Sequence, residues 1–169
     1  TFYLSLTDWN GYGNKMSFIG LDNFRTLICD ELIWNAFKHN IVLFAIGFVV
    51  TFVLALLFAV ALTRSRMREK NFYRVIFYFP NILSIVIVSV VWMFIYNPTI
   101  GLLNGFLKAI GLQSWTHAWL GELGTVLVAL AVPWIWMSVG FYMILMIAAI
   151  ENIPSSLYES ATIDGANEW

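Results

Sequence analysis

Charge and reactive side chains are scarce in this sequence. Its 169 residues include one cysteine, Cys29, and two histidines, His39 and His117, far apart. A lone cysteine excludes an internal disulfide framework and a cysteine-based metal site, and the histidine spacing fits no zinc motif. There is no G-x-S-x-G elbow, no H-E-x-x-H and no Walker A loop, so the usual catalytic constellations are missing. Charged residues make up 11% of the chain, against about 25% in an ordinary soluble domain. Nine Lys and Arg against ten Asp and Glu leave a net charge of -1, and no overall basic field would draw nucleic acid. With 60% hydrophobic residues and a mean hydropathy of +0.79, a soluble globule is excluded. An integral membrane protein remains.

Long uncharged runs are what the chain does have. Residues 41–62 form one of 22 residues, which as a helix reaches about 33 Å and crosses a hydrocarbon core of about 30 Å. Residues 75–96 form a second, interrupted only by Pro80 and Asn81, and 123–150 a third that exceeds the bilayer need. That third helix is therefore tilted, kinked at Pro133, or begins a few residues late. The sequence thus predicts an all-α membrane protein with transmembrane helices over 40–63, 75–96 and 123–150.

Five of the nine basic residues (Arg64, Arg66, Arg68, Lys70, Arg74) fall within 64–74, which the positive-inside rule places in the cytoplasm. Parity then puts 97–122 outside, with Trp115 and Trp119 suited to the aromatic belt, and 151–169 inside. The first 39 residues are extracytoplasmic, with a turn-rich stretch followed by an interfacial helical segment. With no Met start and no signal peptide, the expectation is that a further span precedes Thr1.

None of the three runs carries an ionisable side chain other than tyrosine between its ends. Self-powered transporters place such groups near the midplane, so a transport role would draw its energy from another subunit.

In the tail, Ser156 and Glu159 have the spacing of a capping box behind Pro154, predicting a short helix from about Ser156. Tyr158, Ala161, Thr162, Gly165 and Trp169 then share one face. The middle of that face is small enough for a close neighbour, or Gly165 ends the helix in a left-handed turn. Taken alone, the residues are equally served by Glu159 as a cap and Gly165 as a stop.

This tail resembles the cytoplasmic loop of permease subunits of bacterial ABC importers, whose pattern is E-A-A, three residues, then G. Glu159, Ser160, Ala161 and Gly165 match, with Ser160 in place of the central Ala, and the pattern's second half would fall beyond Trp169. YESATIDGANEW and NIPSSL are similar to the carbohydrate branch, of which the maltose permeases are members. SFIGLDNFRTLI and YFPNILSIVIVSVVWMFIYNPTIGLLNGFL extend the likeness over nearly the whole chain. The resemblance implies a non-enzymatic sugar permease of the bacterial cytoplasmic membrane, working by alternating access. Its implied partners are a second permease subunit, two cytoplasmic ATPase subunits, an external solute-binding protein, carbohydrate and lipid. ATP and Mg are then used by the ATPase, and no cofactor is bound by this chain. Glu159, Ser160, Ala161, Asp164, Gly165 and Ala166 would form the coupling helix that docks on it.

Phased as one helix, Tyr78, Asn81, Ser89, Trp92 and Tyr96 fall within an arc of about 80°. Trp134, Ser138 and Tyr142 recur at four-residue spacing in the third run. Hydroxyls, amides and aromatic faces suit a sugar path, and the same residue types join membrane helices to one another. Two other readings stay open: a permease for another polar solute, and a membrane anchor or enzyme subunit with Glu159 and Asp164 as surface carboxylates.

Overall fold

The structure, a computed structural model, describes residues 1–9, 11–13, 16–64 and 69–166. Among these residues the regular elements are helices, joined by turns and irregular segments, with one isolated antiparallel bridge between Thr7 and Phe18. The α-helices are α1 (Asp22–Cys29), α2 (Glu31–Arg64), α3 (Lys70–Ile82), α4 (Ile85–Ile95), α5 (Leu102–Ala109), α6 (Val126–Glu151) and α7 (Ser155–Ile163). Two compact units divide at Val42 and Leu43, with α2 running from one into the other.

In the first unit a short 3-10 turn (Leu4–Leu6) precedes the bridge, and α1 supplies the tie that holds both. The Asn23 side-chain amide donates to the carbonyls of Ser5 (2.9 Å) and Thr7 (3.0 Å). Asp8 accepts from the Ser17 backbone N–H at 2.9 Å, and that bond holds its carboxyl below the usual range. The helical segment expected near the end of this unit is present as α1 and the start of α2.

In the second unit, α2 and α6 are each long and apolar enough to cross a membrane. Gly47, Thr51, Ala55 and Ala59 recur every fourth residue along α2 and are all buried. Small side chains at this spacing let helices approach closely, which matters in lipid because packing rather than water exclusion drives helix association there. Ala55, Ala59 and Leu62 pack with Met143 and Ile147 of α6, and Phe58 stacks on Phe77 of α3 with ring centroids 4.5 Å apart.

The run expected to form a single helix over 75–96 does not. It is two helices, α3 and α4, whose axes differ by 96°, and it counts as a third crossing only as a bent pair. Pro80 removes a backbone donor near the end of α3, and Leu83 follows in extended conformation (φ -69°, ψ 143°). Ser84 is extended as well, and its side chain accepts from the Val86 N–H at 3.4 Å, which starts a new helix. Pro133 by contrast lies inside a continuous α6.

Other boundaries shift outward. α2 begins at Glu31, well before 40, and ends at Arg64, and α3 begins at Lys70, so Arg64, Lys70 and Arg74 of the basic stretch 64–74 belong to helices. Positions 65–68, with Arg66 and Arg68, lie outside the described residues. α6 starts at Val126, three residues into the run 123–150. The stretch 97–122 is not featureless: it holds α5 and a 3-10 turn, Gln113–Trp115.

Candidate functional site

The tail folds into α7, but not by the expected cap. Pro154 occupies the N-cap with φ -58° and ψ 137°, and no side chain bonds to the free N–H groups. Ser156 therefore sits inside the first turn, where its carbonyl accepts from the Ser160 hydroxyl at 2.9 Å. The Ser156–Glu159 capping box is corrected on this point: a proline at N-cap presents no N–H for an acid to accept from, and it shifts the register by two residues. Glu159 is left exposed to solvent.

The other end follows expectation. Gly165 has φ +82°, the Ala166 N–H donates to the Ala161 carbonyl (2.9 Å) and the Gly165 N–H to Thr162 (3.1 Å). These are the two bonds of a Schellman stop, with Asp164 as the C-cap. Tyr158, Ala161 and Thr162 share α7, Gly165 lies past its end, and Trp169 lies outside the described residues. All of 155–166 is exposed, including large apolar side chains at Leu157 (61%) and Ile163 (85%).

Of the two polar stripes, the five residues on the 75–96 run are divided by the bend, and the three on the third run are not. Tyr78 and Asn81 belong to α3, whereas Ser89 and Trp92 belong to α4 and Tyr96 caps it, so the single-helix arc does not exist. The Asn81 amide points to the Met137 carbonyl of α6 at 3.4 Å, a packing contact. The Ser89 hydroxyl donates to Ile85 in its own helix at 2.8 Å. Tyr78 is half-buried beside the seam with α6. Trp134, Ser138 and Tyr142 do stay together, lining a small recess of about 90 Å³ with Gly47, Phe48 and Thr51 of α2. A larger apolar recess of about 480 Å³ is walled by Leu54, Phe58, Phe77, Pro80, Trp136 and Val139.

Trp92 and Tyr96 instead join an aromatic series that sequence reasoning missed. Ring centroids run from Trp136 to Trp92 (6.0 Å), Tyr96 (5.2 Å), Trp119 (6.3 Å) and His117 (5.4 Å). Asn104 of α5 fixes its far end while only 3% exposed. It donates to the carbonyls of His117 (2.9 Å) and Pro98 (3.3 Å) and accepts from the Trp119 indole (2.8 Å) and the His117 N–H (3.4 Å). Beside it Glu122 accepts from the Ala118 N–H and pairs with His117, both at 2.8 Å. The Ala118 bond first, then His117, holds the Glu122 carboxyl below the usual range. An Asn-Pro pair at 97–98 marks the turn in the sequence, yet nothing local announces a partner 13 residues away.

Asn104→Leu should cost about 1–3 kcal/mol, because it leaves a buried indole N–H and two carbonyls without their partner. Thermal unfolding of the purified protein would read this as a lower Tm, and an unchanged Tm would mean that other groups hold the loop.

A bent helix pair seamed to a long apolar helix, with a short exposed helix beyond it, defines a polytopic helical membrane protein. Residues 52–169 match the family of binding-protein-dependent transport system inner membrane components. The chain belongs to that family, and its relatives are named as transport permeases. The diacetylchitobiose uptake system permease protein NgcF of Streptomyces coelicolor is 39% identical over 99% of this chain and 50% of its own length. The probable starch degradation products permease AmyD of Thermoanaerobacterium thermosulfurigenes is 36% identical over 99% of this chain and 55% of its own. A solved bacterial alginate ABC transporter, in complex with its alginate pentasaccharide-bound periplasmic protein, superposes with a TM-score of 0.80 at 31% identity, covering 89% of this chain and 52% of that one. The chain thus spans about half the length of the relatives it matches.

Proposed function

We propose that this chain forms part of a permease subunit in an ATP-driven, binding-protein-dependent importer that carries a sugar or oligosaccharide across the bacterial cytoplasmic membrane. The observation that carries the reading is α7. A helix of nine residues is too short to be stable alone in water and buries none of its own residues here, so it is suited to docking on another subunit. Glu159, Ser160, Ala161, Asp164, Gly165 and Ala166 form that docking surface, and the partner is one of two ATPase subunits using ATP and Mg. A second permease subunit completes the pathway, and an external binding protein delivers the sugar. The family match and the sugar-named relatives support this substrate class.

The orientation has its own support. Arg74 near the start of α3 pairs with Glu151 at the end of α6, which supports an arrangement with both ends on one side of the membrane, as three crossings require. The basic residues place that side in the cytoplasm. ATP-driven closure of the ATPase pair then pushes on α7 and alternates access to the pathway.

The test is reconstitution of the full-length permease in vesicles with its partner subunits. Sugar uptake is expected to require ATP, the ATPase and the binding protein together, and a cysteine at Glu69 should react with an impermeant thiol reagent only from the ATPase side. Uptake that persists without the ATPase would overturn the proposal.

A further inference from the structure

The sequence-distant pair Arg74–Glu151 sits where the proposed motion must pass. One guanidinium nitrogen of Arg74 lies 2.6 Å from the Glu151 carboxylate, bridging 77 positions of sequence. Arg74 is the more enclosed partner, with 26% of its side chain exposed against 50% for Glu151. Its Nε is buried and without a partner among the described residues, so Glu151 is the acid that fixes this guanidinium. Three features then line up. Glu151 is the last residue of α6, and a three-residue connector, 152–154, separates it from α7. The first two residues of that connector are tied back to α6: the Asn152 amide donates to the Ala148 carbonyl at 2.7 Å, and the Ile153 N–H to the Ile150 carbonyl at 3.2 Å. Farther along the seam, Gly140 lies directly on the backbone of Phe77 and Tyr78. With Asn81 on the Met137 carbonyl beyond it, α3 is held to α6 at three levels, and only the pair lies at the end nearest α7.

We propose that Arg74 and Glu151 are positioning residues that make α3 move with α6 when α7 is displaced, so that the displacement reaches the bend at Leu83–Ser84. Without the pair, the end of α6 can tilt on its own, pivoting about Gly140. ATP would then be hydrolysed with less substrate moved. This rests on the docking role proposed for α7. It adds a coupling role for two residues that lie outside the docking helix itself.

The experiment uses the full-length complex in vesicles and measures substrate moved per ATP hydrolysed, with ATPase retention scored separately. Arg74→Glu and Glu151→Arg should each lower that ratio by about two- to fivefold or more, the range that corresponds to the coupling of a half-exposed ion pair. ATPase retention should stay near the unmodified level in both. The exchanged double variant, Arg74→Glu with Glu151→Arg, should recover most of the ratio, and Arg74→Lys should retain most of it because one charged contact survives. A ratio unchanged in both single variants would overturn the proposal, and so would single-variant losses that the exchange leaves unrepaired. Failure of the unmodified complex to retain any ATPase would instead remove the docking role of α7, a result separable from the first two.

Discussion

Gly140→Val is expected to give a permease that does not assemble a stable α3–α6 seam. A Cβ at 140 would fall on the Phe77 carbonyl and the Tyr78 Cα, which are backbone atoms and cannot rotate away. Overpacking costs about 1–3 kcal/mol where neighbouring side chains can yield, and the cost belongs at the top of that range or above it when the obstacle is main chain. Against a total stability of about 5–15 kcal/mol, this is a large fraction. Gly47 offers a graded comparison, since the atoms nearest a Cβ there belong to the ring of Trp134, a side chain 41% exposed, and not to main chain. Gly47→Ala should therefore lower Tm clearly less than Gly140→Ala. Monodisperse yield in detergent and thermal unfolding would measure both, and equal effects would show that the backbone contact at 140 is not what limits packing.

Gly165→Val should separate docking from insertion. The residue holds φ +82°, a conformation that costs an L-residue about 1–2 kcal/mol and a β-branched one more. Losing it also disrupts the two stop bonds that place Ala166 and Asp164 after the last turn. The membrane helices are untouched, so the protein should still insert and fold. The expected result is a strong fall in ATPase retained on the purified full-length complex, with uptake falling in parallel. Near-normal retention would sink the docking assignment. Glu159→Gln serves as the control for charge: with no capping bond at stake, any loss it causes belongs to the partner surface.

Much of this architecture was legible because lipid imposes length and apolarity on a helix, and 41–62 and 123–150 carry both without interruption. The bend was only half legible. Pro80 announced a fault, but the chain tolerates a proline in α6, and the deciding feature at 83–84 is a serine able to cap a new helix. That feature also undid the polar arc, since helical phasing carries no meaning across a corner. At α7 the stop was readable from Gly165 because positive φ is a nearly exclusive property of glycine. The start was not, because Ser156 and Pro154 compete for the same role and the choice depends on backbone angles. Asn104 and Arg74–Glu151 lay beyond local reasoning altogether, since their partners are 13 and 77 positions away.

The corner between α3 and α4 also sets a condition on hydration. Each helix end leaves up to four backbone groups outside the regular ladder, and in hydrocarbon every one left unsatisfied costs several kcal/mol. Here the Leu83 N–H returns to Pro80 at 3.2 Å and the Val86 N–H reaches Ser84, which answers only part of that demand. Acyl chains can supply none of the remainder. The corner must therefore be turned toward protein or toward water, so the rotation of α3 and α4 about their own axes is constrained by solvation at a place where side-chain hydrophobicity alone would leave it free.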